Sequence, residues 1–233
     1  MFAQSEERYR DRRDAGRELA NALRLYAHRD DVIVLALPRG GVPVAYEIAR
    51  ELQVSMDIFL VRKLGVPWHE ELAMGAIATG GVRVLNEAVI RQLKISPEQI
   101  EAVAEEQQRE LLRREEEYRG GHTPPDLHHK ICILVDDGLA TGASMRAAVE
   151  ALKLHSPAKI IVAVPVGAPD TCSELKHQVD ELVCGRTPGE FRAVGAWYRD
   201  FSQTTDEEVR NLLKDAGEWA RERPDSSHIS YMS

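Results

Sequence analysis

The chain has 233 residues, of which 43% are hydrophobic and 29% are charged, and its formal net charge is −8. This composition is ordinary for a globular protein, and the acidic balance argues against a general nucleic-acid-binding surface. No apolar run approaches membrane-spanning length and residues 1–16 contain no apolar signal core, so we expect neither a membrane protein nor a secreted one. The three cysteines lack C-x-x-C spacing and fit free thiols in a reducing cytoplasm.

The N-terminal part of the chain predicts a helix, a strand and a second helix. Residues 5–27 place Leu19 and Leu23 at helical spacing, so we expect an amphipathic helix whose arginines face solvent. The apolar run 32–37 predicts a buried strand. The sequence Pro-Arg-Gly-Gly at 38–41 then indicates a tight turn into the second helix.

A further strand is predicted at 56–61, and it would deliver Arg62 and Lys63 to the carboxyl edge of the sheet. Two adjacent cations repel each other unless an anion lies nearby. We therefore interpret this pair as anion-binding, with two ordinary surface charges as the alternative. Residues 64–81 predict a mobile loop that runs into a short hairpin.

The middle of the chain predicts a short strand and two helices. Residues 82–85 are typical of a strand, and Asn86 caps the helix that follows. The helix 96–119 begins with Ser96 as its N-cap and carries a narrow apolar stripe, so it either covers an edge of the domain or meets a partner subunit in a homodimer. The loop 120–130 contains three histidines, but no cysteine or acid at metal-site spacing accompanies them, which disfavours a metal site there.

The most informative stretch is Ile131–Ser144, with the sequence ICILVDDGLATGAS. Ile131–Val135 predicts a buried strand, and Asp136 and Asp137 follow it at the edge where α/β sheets bind ligands. The small residues 138–144 open a helix, so backbone N–H groups, hydroxyls and the helix dipole favour a bound phosphate. The two carboxylates suit hydroxyl groups or Mg²⁺, and a ribose 5-phosphate combines both features. The alternative is a strand-to-helix turn with two solvated aspartates.

The C-terminal part continues the alternation of strands and helices. Strands 159–164 and 180–184 flank the helix 169–177, which implies right-handed crossovers and a mostly parallel sheet. We therefore predict an α/β fold with a doubly wound, mostly parallel sheet in one domain, residues 1–222. Residues 223–233 predict a disordered tail.

Four motifs resemble those of the type I phosphoribosyltransferases, in particular a group of predicted members: ALPRGGVPVA, VRKLG, VDDGLATG and AVGAWY. The resemblance covers nearly the whole chain. It implies an enzyme that transfers the 5-phosphoribosyl group of 5-phosphoribosyl-1-pyrophosphate (PRPP) to a nitrogenous base and releases pyrophosphate. It also implies Mg²⁺ as a cofactor and a C-terminal hood over the base, while the helix 96–119 is an addition to the compact family pattern. A flexible lid would cover the reacting centre at 64–81, with three candidate side chains, His69, Glu70 and Glu71.

The same resemblance implies roles for individual residues. The catalytic residues would be Asp136, Asp137, Arg62 and Lys63, with both aspartates at the metal. The loop for the 5-phosphate would consist of Ala140, Thr141, Gly142, Ala143 and Ser144. Pyrophosphate would bind at Arg39, Gly40 and Gly41, in a turn that often contains a non-proline cis peptide in this family.

Residues 186–203 form the predicted hood and contain the run FRAVGAWYRDF, which is similar to a segment of hypoxanthine-guanine phosphoribosyltransferases. By that similarity Phe191 would stack on the base and Asp200 would reach the metal, and Trp197 is a second base-binding candidate. The alternative is that these aromatic side chains only pack this edge of the domain. Two departures leave the acceptor open: position 140 is alanine where oxopurine-using relatives have an acid, and the PVGAP turn lacks their lysine.

Three functions stay open at this point. The first is a cytoplasmic transferase whose partners are PRPP and a small acceptor, with a nucleobase as the expected class. The second is a regulatory protein of the same fold that senses PRPP or a nucleotide. The third is a hydrolytic or phosphorolysis-like activity on nucleotides at the same site.

Overall fold

The protein is built on two β-sheets. The computed structural model describes residues 7–222. In this part of the chain the strands are β1 Val32–Ala36, β2 Ser55–Ile58, β3 Val61–Val66, β4 His69–Ala78, β5 Arg83–Leu85, β6 Ile131–Val135, β7 Lys159–Val166 and β8 Glu181–Arg186. The larger sheet has the order β2-β1-β6-β7-β8, and every pair of neighbours is parallel. The smaller sheet is antiparallel, with the order β3-β4-β5.

Helices cover both faces of the parallel sheet. They are α1 Arg12–Ala22, α2 Gly41–Leu52, α3 Glu87–Leu93, α4 Pro97–Arg119, α5 Ala143–Lys153, α6 Pro169–Lys176 and α7 Asp206–Glu222. Val32 and Val34 of β1 belong to the core that includes α1, α2 and α7, while Ile33 and Leu35 belong to the core that includes α5 and α6. Because successive strand residues point to opposite faces, an apolar run is what a sheet covered on both sides requires. The predicted doubly wound α/β fold is confirmed.

Two predicted boundaries were wrong near the N-terminus. The predicted helix 5–27 is Arg12–Ala22 within the described residues, capped by the Asp11 side chain, which accepts a hydrogen bond from the backbone N–H of Asp14 at 2.8 Å. The predicted strand 56–61 is two strands, β2 and β3, which belong to different sheets. The residues between them, Phe59 and Leu60, are buried, so the apolar run continues across the break and periodicity alone cannot locate it.

Residues 64–81, predicted as a mobile loop that runs into a short hairpin, are mostly regular structure, so the loop was wrong and the hairpin is present. β3 and β4 form an antiparallel hairpin with irregular register near Gly65, and β5 extends it on the other side of β4. Arg62 and Lys63 therefore lie within β3 of the small sheet, and not at the end of a strand of the parallel sheet as we predicted.

The added helix α4 is fixed at both ends. At its start, Ser96 and Gln99 form the predicted capping box. At its end, the guanidinium of Arg119 pairs with the carboxylate of Asp57 in β2 at 3.2 Å, and the Tyr118 hydroxyl donates to Asp206 at the start of α7 at 2.5 Å. The contacts at its end hold α4 against β2 and α7, so its inner face has a defined position relative to the carboxyl edge of the sheet.

Two further predictions concerned the C-terminal tail and membrane-spanning helices. The predicted tail 223–233 lies outside the described residues. Within residues 7–222, every helix is too short or too polar to cross a lipid bilayer.

Candidate active site

A cavity of about 110 Å³ lies at the carboxyl edge of the parallel sheet. Its lining comes from four parts of the chain: the β1–α2 turn, the β2–β3 segment, α4, and the β6–α5 segment. The polar lining residues are Arg62, Arg114, Asp136 and Ser144. Carboxylate, hydroxyl and guanidinium groups thus converge on one space, which is the arrangement that a ligand with both hydroxyls and phosphates requires.

The turn that follows β1 packs directly against the acid pair that follows β6. The peptide between Pro38 and Arg39 is cis, as the family resemblance implied. A Cβ atom on Gly40 would lie 2.0 Å from Oδ2 of Asp137, and one on Gly41 would lie 2.6 Å from the carbonyl oxygen of Val135. The absence of side chains at these two positions is therefore what allows the turn and the acid pair to be in contact.

Asp137 is held by Arg12, an arginine of α1 that we predicted to face solvent. Nε and Nη2 of Arg12 lie 2.9 and 2.8 Å from Oδ2 of Asp137, and Nη1 donates to the carbonyl oxygen of Ser202 at 2.7 Å. The Arg12 guanidinium also lies 4.0 Å from the ring centroid of Phe201. One largely buried side chain of α1 thus connects the acid pair to the C-terminal segment.

The two aspartates have different electrostatic surroundings. Loss of solvation, followed by the charge of Asp137, raises the pKa of Asp136 to about 8. Loss of solvation also raises the pKa of Asp137, and Arg12 opposes this rise. Because the pair is strongly coupled, its two protons belong to the pair as a whole. Burial therefore favours a proton shared by the pair, and Asp137, next to Arg12, is the better site for the negative charge.

This shift predicts a pH dependence of stability. The pKa of Asp136 in the folded chain, about 8, exceeds the ordinary value of 3.8, so the folded state binds the proton more tightly than the unfolded state. The contribution is complete below pH ~4 and is lost as the pH rises towards 8, with a slope of up to about 1.4 kcal/mol per pH unit. We expect Asp136→Asn to lack this slope. Urea unfolding of both proteins from pH 5 to 8.5 measures the difference, and parallel curves would contradict the assignment.

The predicted phosphate loop lies at the N-terminus of α5. Gly142 is the N-cap residue with φ of +71°, a left-handed conformation that favours glycine. The loop is tied to its surroundings through its carbonyl groups: Nη2 of Arg146 donates to Thr141 at 2.5 Å, and Oγ1 of Thr171 donates to Ala140 at 2.8 Å. With these carbonyls engaged, the N–H groups at the start of α5 are the ones left to face an anion.

The predicted cations are distributed over three places. Arg62 lines the cavity and donates through Nε and Nη2 to Oε1 of Gln107 at 3.0 and 2.7 Å. Loss of solvation, followed by the charge of Arg114, lowers the pKa of Arg62. Lys63 does not line this cavity; it pairs with Glu71 at 3.6 Å and, together with Arg62, lines a separate groove of about 630 Å³. Arg39 pairs with Asp206 at 3.6 Å.

The C-terminal segment, residues 186–203, packs against the acid pair and the glycine that follows it. A Cβ atom on Gly138 would lie 2.4 Å from the Val194 side chain, and the Tyr198 hydroxyl donates to the carbonyl oxygen of Asp137 at 2.6 Å. Trp197 is 6% exposed and its Nε1 has no hydrogen-bond partner among the described residues. Phe191 is half-buried against the cluster that contains Trp197 and Tyr198. Of the two aromatic candidates, Phe191 is therefore the more accessible.

Asp136 and Asp137 could hold a metal ion only together with a substrate that also binds that ion. Mg²⁺ is usually bound by one or two carboxylates together with substrate phosphates and water. Within residues 7–222, no group of three or more His, Cys, Asp or Glu side chains is placed to hold a metal. Asp200 does not join Asp136 and Asp137 in such a group, and its carboxylate instead accepts the backbone N–H of Ser202 at 2.9 Å. Asp136 and Asp137 are thus the residues that could reach a Mg²⁺ carried by a phosphate ligand.

A sequence model of the family described as "Phosphoribosyl transferase domain" matches residues 7–188. The match includes the acid pair, the phosphate loop and the turn after β1. The chain belongs to this phosphoribosyl transferase domain family. The family fold accounts for the parallel sheet, and the cavity at its carboxyl edge lies where the β1–α2 turn and the β6–α5 segment meet.

Proteins with similar sequences or structures support membership of the phosphoribosyl transferase domain family. Two proteins of Mycobacterium tuberculosis, from strains CDC 1551 and H37Rv, are each named "Putative phosphoribosyl transferase" and are 47% identical to this chain over 203 residues. The matched region is 87% of this chain and 46% of each relative, so the chain spans about half the length of the curated relatives it matches. The crystal structure of TT1426 from Thermus thermophilus is 42% identical, with a TM-score of 0.81 over 89% of this chain and 98% of that one.

Proposed function

We propose that this phosphoribosyl transferase domain transfers the 5-phosphoribosyl group of PRPP to a nitrogen acceptor and releases pyrophosphate. The observation that carries the proposal is the cavity lined by Asp136, Ser144 and Arg62, with the cis turn at Pro38 on its wall. In this cavity a ligand can contact Asp136 through hydroxyl groups, Ser144 through a phosphate and Arg62 through a second anionic group.

The proposed role of each site residue in binding PRPP follows from the chemistry of its side chain or backbone. The N–H groups and hydroxyls of residues 140–144 bind the 5-phosphate at the N-terminus of α5. Asp136 and Asp137 accept hydrogen bonds from the ribose hydroxyls. Arg62, Arg114 and the turn at 39–41 bind the pyrophosphate group, in a cavity that is poorly solvated and where a fixed cation is therefore effective.

The reaction forms a bond from the acceptor nitrogen to C1 of the ribose and breaks the bond from C1 to the pyrophosphate oxygen. Pyrophosphate leaves with the electron pair, and the acceptor nitrogen loses its proton. Positive charge develops on the ribose and negative charge on the leaving group, so positioning and electrostatic stabilisation supply most of the catalysis. Mg²⁺, when bound with PRPP, would neutralise part of the pyrophosphate charge.

The acceptor enters the proposal only as a class. The residue at 140 is alanine, so it provides no acid for the proton of an oxopurine. The half-buried Phe191 offers a ring for a planar base, and it packs against the cluster that contains Tyr198, whose hydroxyl donates to the carbonyl oxygen of Asp137. We therefore propose a planar nitrogenous base, with Phe191 as its stacking partner.

The direct test is pyrophosphate release from Mg²⁺-PRPP in the presence of purine, pyrimidine and pyridine bases. Calorimetric binding of PRPP is measured in parallel, with Asp137→Asn as the site control. Release with one base would support the transferase and identify its acceptor. Tight binding without release for any base would favour PRPP sensing instead, and PRPP binding unchanged by Asp137→Asn would contradict the site itself.

Arg114 was not predicted as a site residue, and its removal should weaken PRPP binding. It extends from α4 to the cavity, beside Arg62. Hydrogen bonds to charged groups are the strong ones, so we expect Arg114→Ala to weaken binding about tenfold or more. Arg113→Ala is the matched control, because Arg113 pairs with Glu110 and Glu117 on the exposed side of α4. Equal effects of the two substitutions would remove Arg114 from the site.

A further inference from the structure

Two of the three cysteines lie together outside the cavity. Cys172 is in α6 and Cys184 is in β8, and their sulfur atoms are 3.6 Å apart. Both are free thiols; Cys172 is buried and Cys184 is partly exposed. Within residues 7–222 they belong to no group of three or more metal-ligating side chains, so a metal site does not explain the pairing.

The chemistry of the pair favours a redox reaction. The contact with Cys184 lowers the pKa of the Cys172 thiol, whereas the same contact and burial raise the pKa of Cys184. Since the thiolate is the nucleophile, the shift favours Cys172 as the group that attacks an oxidant, and the partly exposed Cys184, 3.6 Å away, opens the pair to solvent. A disulfide has a sulfur–sulfur distance of about 2.05 Å, so the two atoms must approach by about 1.5 Å. A rotation of the side chains with a small shift of α6 can supply that movement.

We propose that Cys172 and Cys184 are a reversible redox modification site that closes to a disulfide when a peroxide oxidises them. The Cys172 thiolate attacks one peroxide oxygen and becomes a sulfenic acid, while the other oxygen leaves and, with a proton, forms water. The Cys184 thiol then attacks the sulfenic sulfur, which forms the disulfide and releases a second water. Two thiols are oxidised, and one peroxide is reduced to two waters.

The structure links this pair to the phosphate loop. Thr171, next to Cys172, donates through Oγ1 to the carbonyl of Ala140 at 2.8 Å, and the N–H of Ala168 donates to the carbonyl of Leu139 at 2.8 Å. A Cβ atom on Gly142 would lie 2.6 Å from Thr171, so the first turn of α6 touches the loop closely. A disulfide would draw α6 towards β8, and this movement would weaken the contacts between α6 and the phosphate loop. This consequence rests on the proposed function, because it assumes that the loop binds the PRPP phosphate.

The first experiment tests the disulfide independently of any ligand. The reduced full chain is treated with hydrogen peroxide, its remaining thiols are alkylated, and the peptides are mapped by mass spectrometry. We expect a Cys172–Cys184 cross-link that a dithiol reverses, in the natural chain and in Cys132→Ser alike. Cys132 is the matched control, because burial raises its pKa to about 12. Over-oxidation of either thiol without a cross-link, or a cross-link through Cys132, would overturn the proposal.

The second experiment measures the affinity for Mg²⁺-PRPP before and after oxidation. We expect oxidation to weaken binding about threefold to tenfold, the effect of losing one or two hydrogen bonds that order the loop. The loss should be absent in Cys172→Ser and Cys184→Ser, and a dithiol should restore affinity in the natural chain. A cross-link that leaves the affinity unchanged would overturn the link to the loop. A reduced protein that binds no PRPP would overturn the proposed function, while the cross-link would still establish the redox site.

Discussion

Replacing Gly40 with alanine should disable the site almost completely. The added Cβ would lie 2.0 Å from Oδ2 and 2.6 Å from Cγ of Asp137, distances that no structure accommodates without movement. Gly40 has φ of −60° and ψ of −33°, which any residue can adopt, so the effect is steric and not conformational. Asp137 cannot easily move, because Arg12 holds the same carboxylate oxygen.

We expect Gly40→Ala to weaken PRPP binding on the order of 100-fold, about the effect of losing one or two hydrogen bonds to charged groups. Overpacking should also lower the free energy of unfolding by about 1–3 kcal/mol. Calorimetry with Mg²⁺-PRPP and urea unfolding measure the two effects. Gly217→Ala in α7 is the control: an added Cβ there meets nothing within 4 Å, so binding should be unchanged.

A second substitution shows whether the conflict is with Asp137. In an Asp137→Ala background the carboxylate is gone, so adding a methyl group at position 40 should cost little further stability. Double-mutant cycles isolate such a pairwise contribution when each single change removes only the contact in question. Full additivity of the two substitutions would show that Gly40 is needed for some other reason.

The sequence was sufficient for the parts of the fold that depend on local pattern. β6 is an unbroken apolar run and all five of its residues are buried, as the pattern of a covered parallel strand requires. The turn after β1 and the loop before α5 were predicted because small residues follow a strand and open a helix; the left-handed conformation of Gly142 was not predicted. These features are encoded by neighbouring residues, so they can be predicted without knowledge of tertiary contacts.

The parts that were missed depend on distant contacts. Arg12 lies on an amphipathic helix where arginines ordinarily face solvent, yet its partner Asp137 is 125 positions away. Arg114 lies on the added helix α4, and only the packing of α4 against β3 brings it to the cavity. Nothing in the spacing of charges distinguishes these two arginines from the exposed ones. The division of 56–61 between two sheets was missed for a related reason, since burial of Phe59 and Leu60 continues the apolar pattern.

Removing the charge of Arg12 should destabilise the protein in a pH-dependent way. The Arg12 and Asp137 side chains are 11% and 17% exposed, so Arg12→Gln leaves two adjacent, poorly solvated carboxylates without their cation. Loss of one partner from a buried ion pair costs about 3–5 kcal/mol, and partial exposure reduces this to about 2–4 kcal/mol. The Gln variant also loses the contact with the Phe201 ring.

The pH dependence identifies the cause. Without Arg12 the pKa of the Asp136–Asp137 pair rises further, because the cation that opposed the effect of burial is gone. An acid whose pKa is raised by folding binds protons more tightly in the folded state, so the deficit of Arg12→Gln should be largest near pH 8.5 and should shrink as the pH falls towards 5. Urea unfolding at several pH values measures this change. Arg12→Lys, which keeps the charge, should recover part of the stability.

Arg10→Gln is the matched control for this experiment. Arg10 also pairs with an aspartate, Asp14, at 2.7 Å, but its side chain is 67% exposed, so water screens the pair and its loss should leave stability nearly unchanged. If Arg12→Gln left the free energy of unfolding as little changed as Arg10→Gln does, the contact between Arg12 and Asp137 would not stabilise the protein. If it destabilised equally at every pH, the loss would reflect packing of the long side chain against Phe201. Only a deficit that grows with pH shows that Arg12 keeps Asp137 charged, which the proposed site needs before PRPP binds.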